Sequence, residues 1–357
     1  IARSLEALGV DIIDAGFPIA SRLDWEGAAA IADGTDTVQL SVLARHIPKD
    51  IEAAHAAVRK HRERSRLATW VMPYELYGRH ANDPGIRQRI IAASRQAVLT
   101  ARHYFPAVQY YLVYSGNREI GFLQDLAFEV AEAGACCIAV ADSQSTLNPE
   151  TTSTLVQLIR RALPASCEIA IHCHNNLGLA LANSIAAIRA GATQVEVTIG
   201  GMGDAGGNTA LEQILAYASF FESETPSFQS GCRLDGLYQL ASQISAITGF
   251  QYGSNQPLLG RDTFTVETGI HQSLAANIHN SCFDPRAIGR EIHSVLGRHS
   301  GVVGLRGKLL EIGIDPAMLN LNILYTMVMD ACESEGIVSD AMLRRLVADL
   351  RMGTSGG

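Results

Sequence analysis

Residues 169–199 read IAIHCHNNLGLALANSIAAIRAGATQVEVTI. A short apolar run, 169–172, gives way to polar Asn175 and Asn176. A segment with helical apolar spacing through Ile185 and Ile188 follows, and a second β-branched run, 195–199, closes the unit. Apolar spacing that switches from short extended run to helix and back is the pattern of a strand, a helix and a parallel strand. In an extended strand alternate side chains share a face, so His172 and His174 point one way and Cys173 the other. Two imidazoles so placed can share one divalent cation, whereas Cys173 reads as core.

The same unit recurs along the chain. Short apolar runs at 10–13, 38–43, 67–71, 108–113, 136–140, 169–172 and 195–199 are each bounded by polar residues or glycine, and helical patterns follow them. Seven parallel βα units are therefore visible, and a closed barrel of this type needs eight. The chain opens on a helix-like pattern (Ile1, Leu5, Leu8) with no initiator Met. The expectation is an α/β protein, a (β/α)8 TIM barrel whose first strand lies upstream of Ile1. An open doubly wound sheet is the competing architecture, but its glycine-rich first turn is not visible. Alternation stops near residue 222. The expected organisation is a barrel over 1–222, a helical linker over 223–260, a small helical region over 261–352, and a disordered tail over 353–357.

Of the 357 residues 47% are hydrophobic and 18% charged, enough apolar content for a barrel-sized core. The formal charge of −8, with basic residues scattered, argues against nucleic acid as a partner. No apolar run is long enough to cross a membrane, and no secretory pattern opens the sequence. The seven cysteines follow no framework spacing and read as reduced thiols, so a cytoplasmic location is expected.

Several segments together resemble the isopropylmalate synthase and homocitrate synthase family. The run from His172 to Ala180 is similar to its His-x-His-Asn-Asp-x-Gly motif. Residues 9–18, 203–212, 268–272 and 296–301 follow in the family's order. The resemblance implies a metal-dependent barrel enzyme that condenses acetyl-CoA with a 2-oxo acid and hydrolyses the thioester to a 2-alkylmalate. It implies that a divalent ion (Mg, Mn or Zn) is held by His172, His174 and the side-chain oxygen of Asn208. Asp142 and Ser143 stand where the family carries Asp-Thr, and the resemblance implies both among the catalytic residues, with Ser143 donating to the substrate carboxylate; the competing reading of Ser143 is a helix cap. Asp14 occupies the place of a strand-end Glu, and Asp204 that of the Glu in Gly-Glu-Arg-x-Gly-Asn, so both are expected to bind the substrate. His271, in Gly-Ile-His, is implied in acid–base work at the active site of a partner subunit, and hence in a homodimer. His299 and Ser300 read as structural or interfacial.

Three departures stand against these matches. The family's first-strand motif Asp-x-x-Leu-Arg-Asp-Gly has no counterpart, which agrees with a first strand upstream of Ile1. Ala205 replaces an arginine. The slot of a family Glu falls in the segment 113–119 with no matching carboxylate, leaving the general base open. Three functions are weighed: the condensing synthase, a metal-dependent carbon–carbon lyase of the 3-hydroxy-3-methylglutaryl-CoA type, and a non-catalytic relative. The Gly-Ile-His region favours the synthase. The oxo acid and the metal stay open at this level.

Overall fold

The computed structural model describes residues 1–72, 83–117, 119–221, 229–267 and 283–353. They divide into two compact units, Ile1–Thr248 and Gly249–Gly357.

In the first unit all seven apolar runs become strands: β1 (Ile12–Asp14), β2 (Gln39–Arg45), β3 (Ser65–Trp70), β4 (Ala107–Leu112), β5 (Cys137–Asp142), β6 (Glu168–Cys173) and β7 (Gln194–Glu196). Among the described residues they form one parallel sheet in sequence order, with β1 and β7 at its two edges. Helices α1 (Ala2–Leu8), α2 (Arg22–Gly34), α3 (Pro48–Val58), α4 (Pro84–Tyr104), α5 (Ile120–Glu132), α6 (Pro149–Ala162), α7 (Ala180–Arg189) and α8 (Leu211–Phe220) alternate with the strands. Their start signals are local. The Ser21 side chain accepts from the Asp24 N–H, and Asn148 and Thr151 close a reciprocal capping box.

Strand alternation divides the side chains. Ile138, Val140, Ile169 and Ile171 join the large core cluster. Cys137, Ala139 and Ala170 form a separate small cluster against Tyr111. One face of the strands thus buries bulky aliphatics, and the other carries small and polar groups. Arg66 on β3 and Gln109 on β4 are buried polar residues within the sheet. A cavity of about 800 Å³ is lined by residues of both edge strands, Asp14 and Glu196 among them, and by Tyr111 of β4 and His172 of β6.

Helix α9 (Leu237–Thr248), expected inside the linker, falls within the first unit and buries Leu237, Leu240, Ala241 and Ile244. The second unit is mostly helical, as expected. Helices α10 (Val302–Glu311), α11 (Leu321–Glu335) and α12 (Asp340–Gly353) enclose a core of Leu305, Leu309, Leu324, Val328, Leu343 and Val347. It also contains strands absent from the sequence reading: β8 (Thr265–Val266) beside β9 (His293–Ser294), and β10 (Leu296–Gly297) beside β11 (Ile337–Val338). Two-residue strands are too short to show an alternation. Of the expected tail, Gly353 ends α12 and 354–357 lie outside the described residues. No helix among the described residues is long and apolar enough to cross a membrane.

Candidate metal and substrate site

His172 is on β6 and His174 follows its end, so the pleat brings both imidazoles to one side while Cys173 is fully buried. Their Nε2 atoms lie 3.3 Å apart. Two ligands about 2.1 Å from one ion subtend a separation of this size. The donor chemistry therefore fits a divalent cation. Asn208 pairs with His174 through an isolated antiparallel bridge, and its Nδ2 donates to the Cys173 carbonyl at 3.2 Å. Among the described residues no three His, Cys, Asp or Glu side chains gather into a metal-holding group.

The loop that delivers Asn208 depends on glycine. Gly207 has φ +86°, and a Cβ there would strike the Gly201 carbonyl; a Cβ on Gly206 would lie 2.8 Å from the backbone of Asn175. The Asn208 N–H donates to Gly201 at 2.9 Å, and Asn175 N–H to Gly207 at 2.8 Å, locking this loop to the end of β6.

Beneath the histidines lies a polar cluster that the sequence reading did not single out. The Glu196 carboxylate is 2.9 Å from His172 Nδ1 and accepts from Tyr111 Oη at 2.9 and 3.0 Å and from Gln109 Nε2 at 2.6 Å. Burial opposes charge on both Glu196 and His172, but their mutual hydrogen bond and attraction prevail. The carboxyl is held below its ordinary value and the imidazole above its own. His174 is shifted down, by burial first and then by His172. The signal for Glu196 was present: it is a charged residue in an apolar strand, in register with His172 across the β6–β7 pair. Finding it required the register, which sequence alone did not supply.

The remaining expected residues are placed as follows. Asp14 ends β1 and borders the cavity. Its carboxyl is raised by crowding against the protein, and the Gly16 N–H donated to it at 2.8 Å opposes that shift. Ser143 Oγ accepts the Tyr114 N–H at 3.0 Å and keeps its own proton to donate. It is not a helix cap, since Asn148 caps α6. Asp142 is fully buried and holds the loop after β5, accepting from Thr146 N–H at 2.8 Å and Leu147 N–H at 3.2 Å. Asp204 is exposed on the glycine-rich loop, close enough to His174 to act on its charge. His271 lies outside the described residues. In the second unit Ser300 is buried and donates to the Glu267 carbonyl at 2.8 Å, while the His299 N–H donates to the Glu267 carboxylate at 2.7 Å. Both have structural partners.

The chain matches the HMGL-like family across residues 1–244. It is 32% identical over 353 residues to a 2-isopropylmalate synthase of Geobacillus sp. (strain WCH70), covering 97% of this chain and 68% of that protein. The 2-isopropylmalate synthase of Syntrophus aciditrophicus (strain SB) is likewise 32% identical over 352 residues, with the same coverage. Among solved structures, hydroxymethylglutaryl-CoA lyase from Pseudomonas aeruginosa superposes with a TM-score of 0.56 at 20% identity, covering 70% of this chain and 85% of that one. At that identity the likeness is one of fold.

Proposed function

The chain belongs to the HMGL-like family, with 2-isopropylmalate synthases among its relatives, and on that premise we propose that it condenses acetyl-CoA with a 2-oxo acid to a 2-alkylmalate. The observation that carries this reading is the convergence of His172 and His174, Nε2 to Nε2 at 3.3 Å, beside Asn208 at the end of β6. Active sites of barrels with this topology are built at that end of the strands.

A divalent ion bound by His172 and His174, with the Asn208 amide alongside, would supply Lewis acidity to the carbonyl of the oxo acid. The chain's own groups do the rest. Ser143 donates its hydroxyl proton to the substrate carboxylate, and the Tyr114 N–H fixes its oxygen. Glu196 holds the His172 ring in place from below. His271 is assigned acid–base work near the acyl group, where an imidazole suits transfer at neutral pH. The acetyl methyl group loses a proton, its carbon bonds to the oxo carbon, and that oxygen gains a proton. Water then cleaves the C–S bond, releasing CoA and the second carboxylate.

The test is thiol release from acetyl-CoA in the full-length protein with a divalent metal and a panel of glyoxylate, pyruvate, 2-oxoisovalerate, 2-oxoglutarate and phosphonate-bearing oxo acids. At least one oxo acid should support release, and His172→Ala or His174→Ala should abolish it. Cleavage of 3-hydroxy-3-methylglutaryl-CoA with no oxo-acid-dependent release would replace the synthase with a lyase.

A further inference from the structure

The hydrogen bonds beneath His172 form a single line with a forced direction. It begins at Arg66, 4% exposed, whose guanidinium can only donate. Arg66 Nη1 reaches Gln194 Oε1 at 2.8 Å, which leaves the Gln194 amide nitrogen to donate to Gln109 Oε1 at 3.2 Å. Gln109 Nε2 in turn donates to Glu196 Oε1 at 2.6 Å. The line ends on a carboxylate, which can only accept, so the hydrogen between Glu196 Oε2 and His172 must sit on Nδ1. A donor-only group at one end and an acceptor-only group near the other leave neither glutamine free to flip. Tyr111, donating to both carboxylate oxygens, closes the remaining approach to Glu196.

We propose that Arg66, Gln194 and Gln109 are positioning residues that act through Glu196 to hold His172 as its Nδ1–H tautomer, with the Nε2 lone pair presented to a divalent cation. This rests on the reading of His172 and His174 as metal ligands. The line matters because an imidazole hydrogen on Nε2 would block ligation, and because a ring fixed from behind loses little freedom on binding. Four strands contribute to it, β3, β4, β6 and β7, so the orientation of one ligand is tied to the packing of most of the sheet.

The test uses the full chain, metal-free and 15N-labelled, near pH 8. Long-range proton–nitrogen correlations identify the tautomer of each ring, and Mn(II) titration followed by electron paramagnetic resonance gives the affinity. In the wild-type protein His172 should read as Nδ1–H. Glu196→Gln should move it toward Nε2–H and weaken Mn(II) binding roughly 10–100-fold, while Gln194→Met, which cuts the line but spares the Glu196–His172 bond, should weaken it about 3–10-fold. An Nε2–H His172 in the wild-type protein, or Mn(II) affinity unmoved in both variants, overturns the proposal. The wild-type spectrum depends on no variant folding, and neither readout depends on turnover. A chain that shows these signals yet releases no thiol with any oxo acid would sink the catalytic reading and still support this one.

Discussion

Asn208 occupies the space that a side chain at Gly203 would need: a Cβ on Gly203 would collide with Asn208 Oδ1. The obstacle is the end of one side chain rather than backbone, so Gly203→Ala is expected to displace Asn208 and leave the fold intact. Mn(II) affinity should fall about tenfold, the scale on which metal sites respond to a misplaced group, with little change in melting temperature. An unchanged affinity would separate Asn208 from the site.

Ser143 provides a sharper test of substrate contact. Ser143→Ala removes a hydroxyl proposed to bind a carboxylate, a hydrogen bond to a charged partner worth roughly 1.5–3 kcal/mol. kcat/KM for the oxo acid in thiol release should fall by about 10- to 100-fold. The KM for acetyl-CoA should stay the same. Equal losses for both substrates would point to damage to the loop anchored by Asp142 instead.

Glu212 links stability to pH. Its carboxyl is buried, with one oxygen accepting the Gly200 N–H at 3.0 Å and the other without a partner, and burial pushes its pKa up to about 7. For an acid raised in the folded state, the contribution is fully favourable below the ordinary carboxyl value near 4.5 and is lost as pH rises through about 7. Glu212→Gln keeps the acceptor for Gly200 and cannot ionise. It should therefore stabilise the protein above pH 7, by an amount on the order of 3 kcal/mol, and change little below pH 5. Denaturant unfolding at both pH values measures the difference. Equal effects at both would show that the carboxyl does not titrate in this range.

Glu6 acts in the opposite sense. Its carboxylate accepts the backbone N–H groups of Asp36, Thr37 and Val38 at 2.9, 2.6 and 3.0 Å, and these bonds hold its pKa down at about 2. Stability from a depressed acid is present above its unfolded value and is lost as pH falls from about 4.5 through about 2. Glu6→Gln should lower the melting temperature at neutral pH and flatten the acid limb of the stability curve. Hydrogen exchange of the Thr37 and Val38 amides should quicken in the same variant.

The alternation of short apolar runs with helical patterns was enough to establish the seven parallel strands, because strand and helix periodicities are local and the core they face is continuous. The same local logic placed His172 and His174 on one face and Cys173 in the core, whereas Asn208 entered only through the family resemblance. Asp142 and Ser143 show where it stopped. Adjacent in sequence, they part in the fold, one turned into the loop it braces and the other receiving the Tyr114 N–H. Asp142 turns toward the N–H groups of its own following loop, and Ser143 toward one supplied by the segment after β4. Glu196, Gln109, Gln194 and Arg66 were equally illegible, since Arg66 on β3 and Gln194 on β7, 128 positions apart and on strands that do not pair, meet at 2.8 Å, and no local pattern encodes that contact. The sequence by itself determined the seven strands of the sheet and the shared face of His172 and His174; tertiary structure decided what stands behind them, because the donors and acceptors around the half-buried His172 imidazole come from strands that meet only when the sheet is assembled.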